Sequence, residues 1–324
     1  MKQTRWQIWV ATAVIVTLSV VFTLPFLWML STSLKAPERI QTAYLDFVPR
    51  APFAEIVGKE TRIRPLMEKD GRQEVQIYDG NTLTTATAFV APGAIRDRFH
   101  AHAANYSEGI AAFPFPQYLF NTLVICLLSV VGTVLSCSLV AYGLTCIEWR
   151  GRELLFWVML STMMLPAQVT MIPLFLTFKH LGWINTILPL VVPAFLGNAF
   201  FIFLLRQFYR SVPRDLVEAA RIDGCGELGI WARVMVPLSQ PALAMVALFT
   251  FIGAWNDFLG PLIYLMDEKK YTLSIGLAMY QNQYNSEWGQ MMAMSLLMTV
   301  PVIVIFFFTQ KTFIQGVKLS GIKG

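Results

Sequence analysis

Three glycines in a short polar stretch have the spacing of a dinucleotide-binding loop. Gly224, Gly226 and Gly229 of "IDGCGELG", residues 222–229, follow the pattern G-x-G-x-x-G. In a dinucleotide-binding fold a buried strand leads into these glycines, and the pyrophosphate lies on the N-terminus of the helix that follows. The stretch therefore predicts nucleotide chemistry only if a strand precedes it and an amphipathic helix follows it.

The flanking residues predict helices on both sides of the glycines. Ser211 is suited to an N-cap and Pro213 to a first helical turn, so a short helix should begin near Pro213 and end before Gly224. A second short helix, about 227–236, should end at Pro237. Because a helix and not a strand precedes the glycines, we interpret them as a tight turn between two helices.

The composition is that of a membrane protein. Hydrophobic residues make up 56% of the chain and charged residues 14%, whereas soluble domains have roughly 25% charged residues. Long apolar runs recur at about 8–30, 119–147, 154–178, 186–205, 242–265 and 291–309. The predicted fold class is an all-α polytopic membrane protein with six transmembrane helices and a small β-containing extracytoplasmic insert between the first two.

The first apolar run is too long for the apolar region of a signal peptide, so we predict an uncleaved anchor over residues 1–34 rather than a cleaved signal. Twelve Lys and Arg residues lie in the segments that are cytoplasmic if the N-terminus is inside, against three in the short outer loops. The positive-inside rule then places both termini in the cytoplasm. The net charge of +5 reflects this topology and gives no indication of nucleic-acid binding.

The remaining segments are a polar insert over 35–117, a transmembrane core over 118–310 that holds the other five predicted helices, and a cytoplasmic tail over 311–324. Within the insert, "RQEVQIYDGNTLTTATAFV" predicts two strands joined around Asp79-Gly80-Asn81. The insert is too long for its charges to influence the orientation of the chain.

Cysteine and histidine give no sign of a metal site or a catalytic group. Cys126, Cys137, Cys146 and Cys225 fit no zinc spacing and lie outside the insert, so we expect small apolar residues packed in helices. No His-x-x-x-His or Ser/His/Asp grouping is evident, and we expect a non-catalytic chain without a metal or cofactor.

The loop around the glycines resembles the EAA loop of permease subunits of ABC importers. "EAARIDGCGELGIWARVMVPLSQP" matches its Glu-Ala-Ala, Asp-Gly and Pro-x-x-x-Pro elements, and the coupling loop is taken as 211–241. "MLPAQVTMIPLFLTFKHLGWINTILPLVVPAF", "GAWNDFLGPLIYL" and the ending "FIQGVKLSGIKG" are similar to the carbohydrate-uptake branch, in particular its maltose-type subunit. The resemblance covers about residues 117–324.

The resemblance implies an inner-membrane assembly with a second permease subunit, two ATP-binding cassette ATPases that bind the ATP, an extracytoplasmic solute-binding protein and a carbohydrate substrate. It also implies that the loop enters a cleft on an ATPase. A helical elbow with apolar side chains suits docking of a helix into a groove. The predicted ATPase-coupling residues are Glu218, Ala219, Ala220, Asp223, Gly224, Leu216, Val217, Ile230, Trp231 and Pro237. Arg214, Glu218 and Arg221 are spaced for ion pairs along the first helix.

A few polar residues within the apolar runs are candidates for the substrate pathway: Trp255, Asn256, Asp257, Asn198 and Gln168. Asp257 and Asn256 would hydrogen-bond sugar hydroxyls while Trp255 stacks on a sugar face. The competing interpretation, which we favour slightly, is that Trp-Asn-Asp ties helix ends together near the outer surface. A charge in a span should in either case face protein or a wet cavity.

The tail contains Gly316, Ser320, Gly321 and Lys323, and its glycines predict an extended segment rather than a stable helix. Its lysines could meet anionic lipid headgroups, but the resemblance to the maltose-type subunit implies insertion between the two ATPases.

The substrate is the least determined property. An oligosaccharide or glycoside is expected first, and a polyol or glycerol-phosphate derivative is the alternative. An ion-coupled secondary transporter would need several charged relays within its spans, and only Asp257 qualifies.

Overall fold

A computed structural model of the chain describes residues 5–40, 46–69, 71–80, 82–283 and 287–320. The strands are β1 (Arg50–Ile56), β2 (Lys59–Lys69), β3 (Arg72–Asp79), β4 (Thr82–Val90) and β5 (Arg96–Phe99). The helices are α1 (Arg5–Ser33), α2 (Pro37–Ile40), α3 (Ala104–Ala112), α4 (Phe115–Thr145), α5 (Arg152–Thr162), α6 (Ala167–His180), α7 (Leu188–Val191), α8 (Ala199–Ser211), α9 (Arg214–Ile222), α10 (Glu227–Ile230), α11 (Val236–Leu238), α12 (Gln240–Asn256), α13 (Leu259–Tyr264), α14 (Leu273–Gln283) and α15 (Trp288–Ser320).

By length and apolar composition, four helical segments could cross a membrane: Arg5–Ser33, Phe115–Thr145, Leu188–Ser211 and Trp288–Gln310. Two bent helix pairs raise the number to six if each pair is one span. The six predicted runs therefore coincide with helical structure, but the run over 154–178 is interrupted, and a second bend lies just before the run over 242–265.

The first interruption separates α5 from α6, which meet at 98°. Pro166 has no N–H to donate and stands in the N-cap position of α6, with extended backbone. Just before it, the N–H groups of Met163, Met164 and Leu165 bond to carbonyls three residues back, which tightens the end of α5. The predicted single run over 154–178 is thus two helices.

The second interruption is at Ser239, where the helical segment Glu227–Leu238 and α12 meet at an angle of 83°. A π-helical turn, Trp231–Met235, lies within the first of these segments. At its other end α12 stops at Asn256, so the predicted run over 242–265 was too long. Asp257 is the C-cap of α12 and has extended backbone, which places it outside the helix.

The described chain divides into two compact units, each treated by itself below: the first takes residues up to 114 together with 277–299, and the second takes 115–276 together with 300 onward. In the first unit, a five-stranded antiparallel sheet has the order β4-β3-β2-β1-β5. The predicted hairpin between β3 and β4 is confirmed, and Gly80 has the positive φ, 61°, that its turn requires. Asn81 lies outside the described residues.

A buried polar cluster joins α2 to the sheet of this unit. Arg62 of β2 pairs with Glu38 at 3.1 Å, and each side chain is 4% exposed. The Tyr78 hydroxyl donates to Glu38, and the Arg62 guanidinium lies 4.1 Å from the centre of the Tyr78 ring. Arg62 also contacts His102, with 3.1 Å between Nη1 and Nδ1. The buried charges are therefore both paired and hydrogen-bonded, as burial in an apolar environment demands.

In the second unit, α4 packs against α8 and α12 around one continuous apolar core. Its centre includes fully buried side chains from each of these helices, namely Cys137, Ala141, Leu205 and Val246. Cys126 is also buried, and all four cysteines are free thiols.

Candidate functional site

The glycine stretch is the turn between α9 and α10, so the helix predicted before the glycines is confirmed and the dinucleotide interpretation is excluded. Gly224 has φ +82°. Its N–H bonds to the Arg221 carbonyl, and the N–H of Cys225 bonds to the Ala220 carbonyl, both at 3.0 Å. This is the Schellman arrangement that ends a helix, with Gly224 at the left-handed position. α9 begins at Arg214, next to the predicted start near Pro213, but its N-cap is Pro213 and not Ser211, because Ser211 ends α8.

An ion pair spans the turn. Arg221 Nε donates to Glu227 Oε1 at 2.9 Å, and Arg221 Nη2 donates to the Cys146 carbonyl at 2.9 Å. Tyr142 of α4 donates its hydroxyl to Glu227 Oε2 at 2.5 Å. The predicted ion pairs of Glu218 with Arg214 and Arg221 are absent from the described residues, because Arg221 is engaged across the turn instead. These contacts fix the two-helix elbow, residues 214–238, to the end of α4.

Two of the apolar residues proposed for ATPase contact are already buried within the chain. Val217 is 7% exposed and Ile230 is 0% exposed, both in the core of the second unit. Trp231 is half-buried against the same core. The expectation that the side chains of Val217 and Ile230 are available for contact with an ATPase was therefore wrong.

Other apolar residues occupy the outer side of the elbow. Leu216 is exposed, Ile222 is 86% exposed and Leu228 is 72% exposed. The sequence analysis named Leu216 as a candidate but not Ile222 or Leu228. The position of these two residues beside the Gly224 turn was the available signal. We call Leu216, Ile222 and Leu228 the elbow surface.

Most of the other predicted coupling residues of the loop are exposed to solvent near the elbow surface. Glu218, Ala219, Asp223 and Pro237 are exposed, whereas Ala220 is half-buried against the core. The loop therefore presents both apolar and charged groups to solvent.

The Trp-Asn-Asp residues are engaged at the end of α12. Trp255 is 1% exposed and stacks on Phe251, with ring centroids 5.4 Å apart. Asp257 Oδ1 accepts from the Gly260 N–H at 3.0 Å, and the Asp257 carbonyl accepts from Ser274 Oγ at 2.7 Å. Stacking of a sugar on Trp255 is thus contradicted in this structure, and the tie between helix ends is the arrangement observed.

The other candidate pathway residues differ in what they contact. Asn198 is the N-cap of α8, and its side-chain oxygen accepts from Phe200 N–H at 3.0 Å and Phe201 N–H at 3.2 Å. Asn256 is exposed and donates to the Ile252 carbonyl at 2.9 Å. Gln168 is exposed near the start of α6. Asn198 caps α8, and this structural role explains the residue without a substrate.

The C-terminal tail is helical as far as it is described. α15 continues through Gly316 to Ser320, so the expectation of an extended segment was wrong for residues 311–320. A single glycine adds only about 1 kcal/mol to the cost of a helix, which a long helix can absorb. Gly321 and Lys323 lie outside the described residues.

Comparisons with known proteins agree with this architecture. Residues 136–319 match the family model described as "Binding-protein-dependent transport system inner membrane component". The arabinooligosaccharides transport system permease protein AraQ of Bacillus subtilis is 37% identical over 208 residues, 64% of this chain and 74% of the relative. The trehalose/maltose transport system permease protein MalG of Thermococcus litoralis is 34% identical over 213 residues, 65% of this chain and 76% of the relative.

A solved structure has the same fold. The crystal structure of a bacterial ABC transporter involved in the import of the acidic polysaccharide alginate matches with a TM-score of 0.70 and 21% identity, covering 97% of this chain and 99% of that one. The family model covers more than half of the chain, and both relatives are matched over more than two thirds of their length. This chain belongs to the family of inner-membrane components of binding-protein-dependent transport systems.

Proposed function

We propose that this chain is a permease subunit of an ATP-driven importer of a carbohydrate in a bacterial cytoplasmic membrane. A second permease, two ATPase subunits and an extracytoplasmic binding protein complete the assembly. The ATPases bind and hydrolyse ATP, and this chain forms half of the pathway. Family membership and the names of the two relatives, for arabinooligosaccharides and for trehalose and maltose, support this function.

The observation that carries the coupling role is the elbow surface. The apolar side chains of the elbow surface are exposed beside a turn whose backbone is fixed by Gly224 and by the Arg221–Glu227 pair. A rigid helical elbow with an apolar face loses little conformational freedom when it docks in a groove. The ATPase is the partner that the EAA resemblance provides for this face.

The orientation follows from the distribution of basic residues. With both termini in the cytoplasm, the elbow lies on the cytoplasmic side, where the ATPase is. The insert with the five-stranded sheet then lies on the outer side, where the binding protein delivers the sugar.

For the substrate, an oligosaccharide or glycoside is the first choice. Exposed Asn256 and Gln168 carry amides able to hydrogen-bond sugar hydroxyls. A polyol or glycerol-phosphate derivative is the alternative, and screening the cognate binding protein against a panel of sugars and polyols by thermal shift decides between them. Membership of a binding-protein-dependent family argues against an ion-coupled transporter.

The coupling role is tested by Leu228→Glu in the complete complex. A charge on the elbow surface should weaken docking, since burying an unpaired carboxylate is strongly unfavourable. We expect the ATPase subunits to be lost on purification and sugar-stimulated ATP hydrolysis to fall at least tenfold.

Val57→Glu is the matched control, because Val57 is a fully exposed apolar residue in the turn between β1 and β2 of the first unit. It should leave the ATPase subunits attached. Normal ATPase retention by Leu228→Glu, or equal loss in both variants, would contradict the assignment of the elbow surface.

A further inference from the structure

A cleft of about 290 Å³ lies on the second unit beside the elbow. Its walls come from the last turn of α4, the first turn of α5, the last turns of α8 and the helix α9. Neither the family comparison nor the coupling role assigns a ligand to it.

The cleft is rich in arginine. Five arginines line it against three glutamates: Arg152, Arg206, Arg210, Arg214 and Arg221 against Glu148, Glu153 and Glu218. Arg206 and Arg221 are engaged in ion pairs, with Glu153 and Glu227. Arg210 and Arg214 have no ion pair and no side-chain hydrogen bond within the described part of the chain, so their charges are available to an anion.

The wall of the cleft also holds a buried polar group that lacks a partner. Arg206 is 4% exposed, lies 3.8 Å over the Phe156 ring and donates Nη2 to Glu153 at 2.5 Å, but its Nε has no hydrogen-bond partner among the described residues. A buried donor without a partner is unfavourable. The Arg206 Nε–H is such a donor, so a ligand that supplies acceptor oxygens and negative charge would complement this wall.

The cleft lies where three helices of candidate membrane spans begin or end. α4 ends at Thr145, α5 begins at Arg152, and Arg210 is in the last turn of α8. Next to the cleft, α5 presents Leu154 and Trp157 on its exposed side. A charged cavity bordered by an apolar helix face suits a molecule with an anionic head and acyl chains, and basic pockets between the cytoplasmic ends of spans bind such headgroups.

We propose that this cleft binds a phosphate group, in the first place that of an anionic phospholipid of the cytoplasmic leaflet. The inference rests on the proposed orientation of the chain. Because Arg214, Glu218 and Arg221 belong both to the cleft wall and to the elbow, occupancy of the cleft stabilises the elbow in its docking geometry. The lipid would thereby increase the coupling of the permease to its ATPase.

The experiment uses the complete complex in nanodiscs of phosphatidylcholine, with or without phosphatidylglycerol. Native mass spectrometry measures retained phosphatidylglycerol, and sugar-stimulated ATP hydrolysis measures coupling. We expect the unmodified complex to retain the lipid and to hydrolyse ATP faster in its presence. Arg210→Gln should weaken retention about fivefold, the ratio that corresponds to about 1 kcal/mol per basic residue near the membrane surface.

The controls separate this site from general surface charge. Arg233→Gln removes an exposed arginine of the same loop that does not line the cleft, and it should leave retention unchanged. Arg210→Lys keeps the charge and should restore most of the retention. Equal loss in Arg210→Gln and Arg233→Gln would overturn the proposal.

Two further arms identify the source of the phosphate and the competing occupant. If inorganic phosphate added to phosphatidylcholine nanodiscs raises hydrolysis and Arg210→Gln abolishes the effect, the ligand is a soluble phosphate; if only phosphatidylglycerol acts, it is the lipid. Loss of the ATPase subunits from Arg210→Gln in phosphatidylcholine would show that the cleft receives an ATPase segment and would overturn the proposal. Sugar-stimulated hydrolysis by the unmodified complex in phosphatidylcholine tests the proposed function separately.

Discussion

At the scale of single residues, Gly224 ends helix α9 in the left-handed conformation, with φ +82°. A helix followed by Asp-Gly predicts a left-handed residue, because glycine alone adopts this conformation without strain. The space around a Cβ at Gly224 is empty, so its requirement for glycine is a matter of backbone conformation and not of packing.

Gly224→Val should therefore destabilise the turn by at least about 1–2 kcal/mol, through backbone strain alone. We expect lower sugar-stimulated ATP hydrolysis at a normal level of protein in the membrane. Gly226→Val is the matched control, since Gly226 has φ −71° and also has open space around its Cβ. Unchanged hydrolysis by Gly224→Val, or an equal defect in Gly226→Val, would refute a special role for the left-handed turn.

His102 is the residue whose protonation most affects the first unit. Burial, with help from the adjacent Arg62, lowers the pKa of His102 to about 4. The Arg62 guanidinium can only donate, so Nδ1 of His102 accepts and the proton of the neutral ring is on Nε2. His100 also faces the ring and opposes its protonation, whereas Glu38 favours it.

The sign of the pH dependence follows from this lowered pKa. In the unfolded chain His102 takes up a proton near pH 6.5, whereas in the folded chain it does so only near pH 4. The stabilising contribution is complete above the unfolded value and is lost as the pH falls from about 6.5 to about 4. The loss is on the order of 3 kcal/mol.

His102→Gln, which keeps an acceptor for Arg62, should reduce the fall in melting temperature between pH 6.5 and pH 4. Thermal unfolding of the detergent-solubilised chain measures it. His180→Gln changes an exposed histidine and should leave the pH dependence of the unmodified chain intact. Parallel curves for His102→Gln and the unmodified chain would disprove the assignment.

At the scale of elements, apolar runs predicted the spans because length and hydropathy are local properties of the sequence. The bend at Pro166 follows from a single residue that has no N–H to donate, and the hydropathy of the run does not show it. The end of α12 at Asn256 is likewise not visible in the hydropathy, because apolar residues continue beyond it.

The sheet was predicted only at its hairpin. Strand β2 does not show an alternation of apolar and polar residues in the sequence. Its consecutive residues Arg62 and Ile63 are both buried, and Arg62 is charged. A period of two in hydrophobicity is then lost, and the register of β2 against β3 also shifts between Pro65 and Glu68. The turn composition around Gly80 remained visible because it is a property of three adjacent residues.

The elbow shows which part of a candidate functional site cannot be predicted from the sequence. The sequence identified α9 and α10 and their apolar residues, but helical spacing alone does not say which side the rest of the chain covers. Packing in the core of the second unit covers Val217 and Ile230, whereas Leu216, Ile222 and Leu228 stay exposed. The surface of a docking element is therefore a tertiary property.

At the scale of the whole molecule, α15 is longer than a membrane crossing requires. Its 33 residues span about 50 Å at 1.5 Å per residue, whereas the hydrocarbon core is about 30 Å thick. The candidate span ends at Gln310, so residues 311–320 add about 15 Å of helix beyond it. If the C-terminus lies in the cytoplasm, as proposed, this extension points toward the ATPases of the proposed assembly.

Deletion of residues 316–324 should impair sugar-stimulated ATP hydrolysis severalfold while both ATPases still copurify, because the elbow surface remains intact. A cysteine at position 320, from Ser320→Cys, should crosslink to an ATPase subunit. The competing account is that Lys318 and Lys323 merely contact anionic headgroups. Lys318→Gln combined with Lys323→Gln removes those charges and keeps the length of the chain, so it should leave hydrolysis near normal if the tail is inserted between the ATPases. A defect in this double variant as large as that of the deletion, together with no crosslink from position 320, would assign the tail to the lipid surface instead.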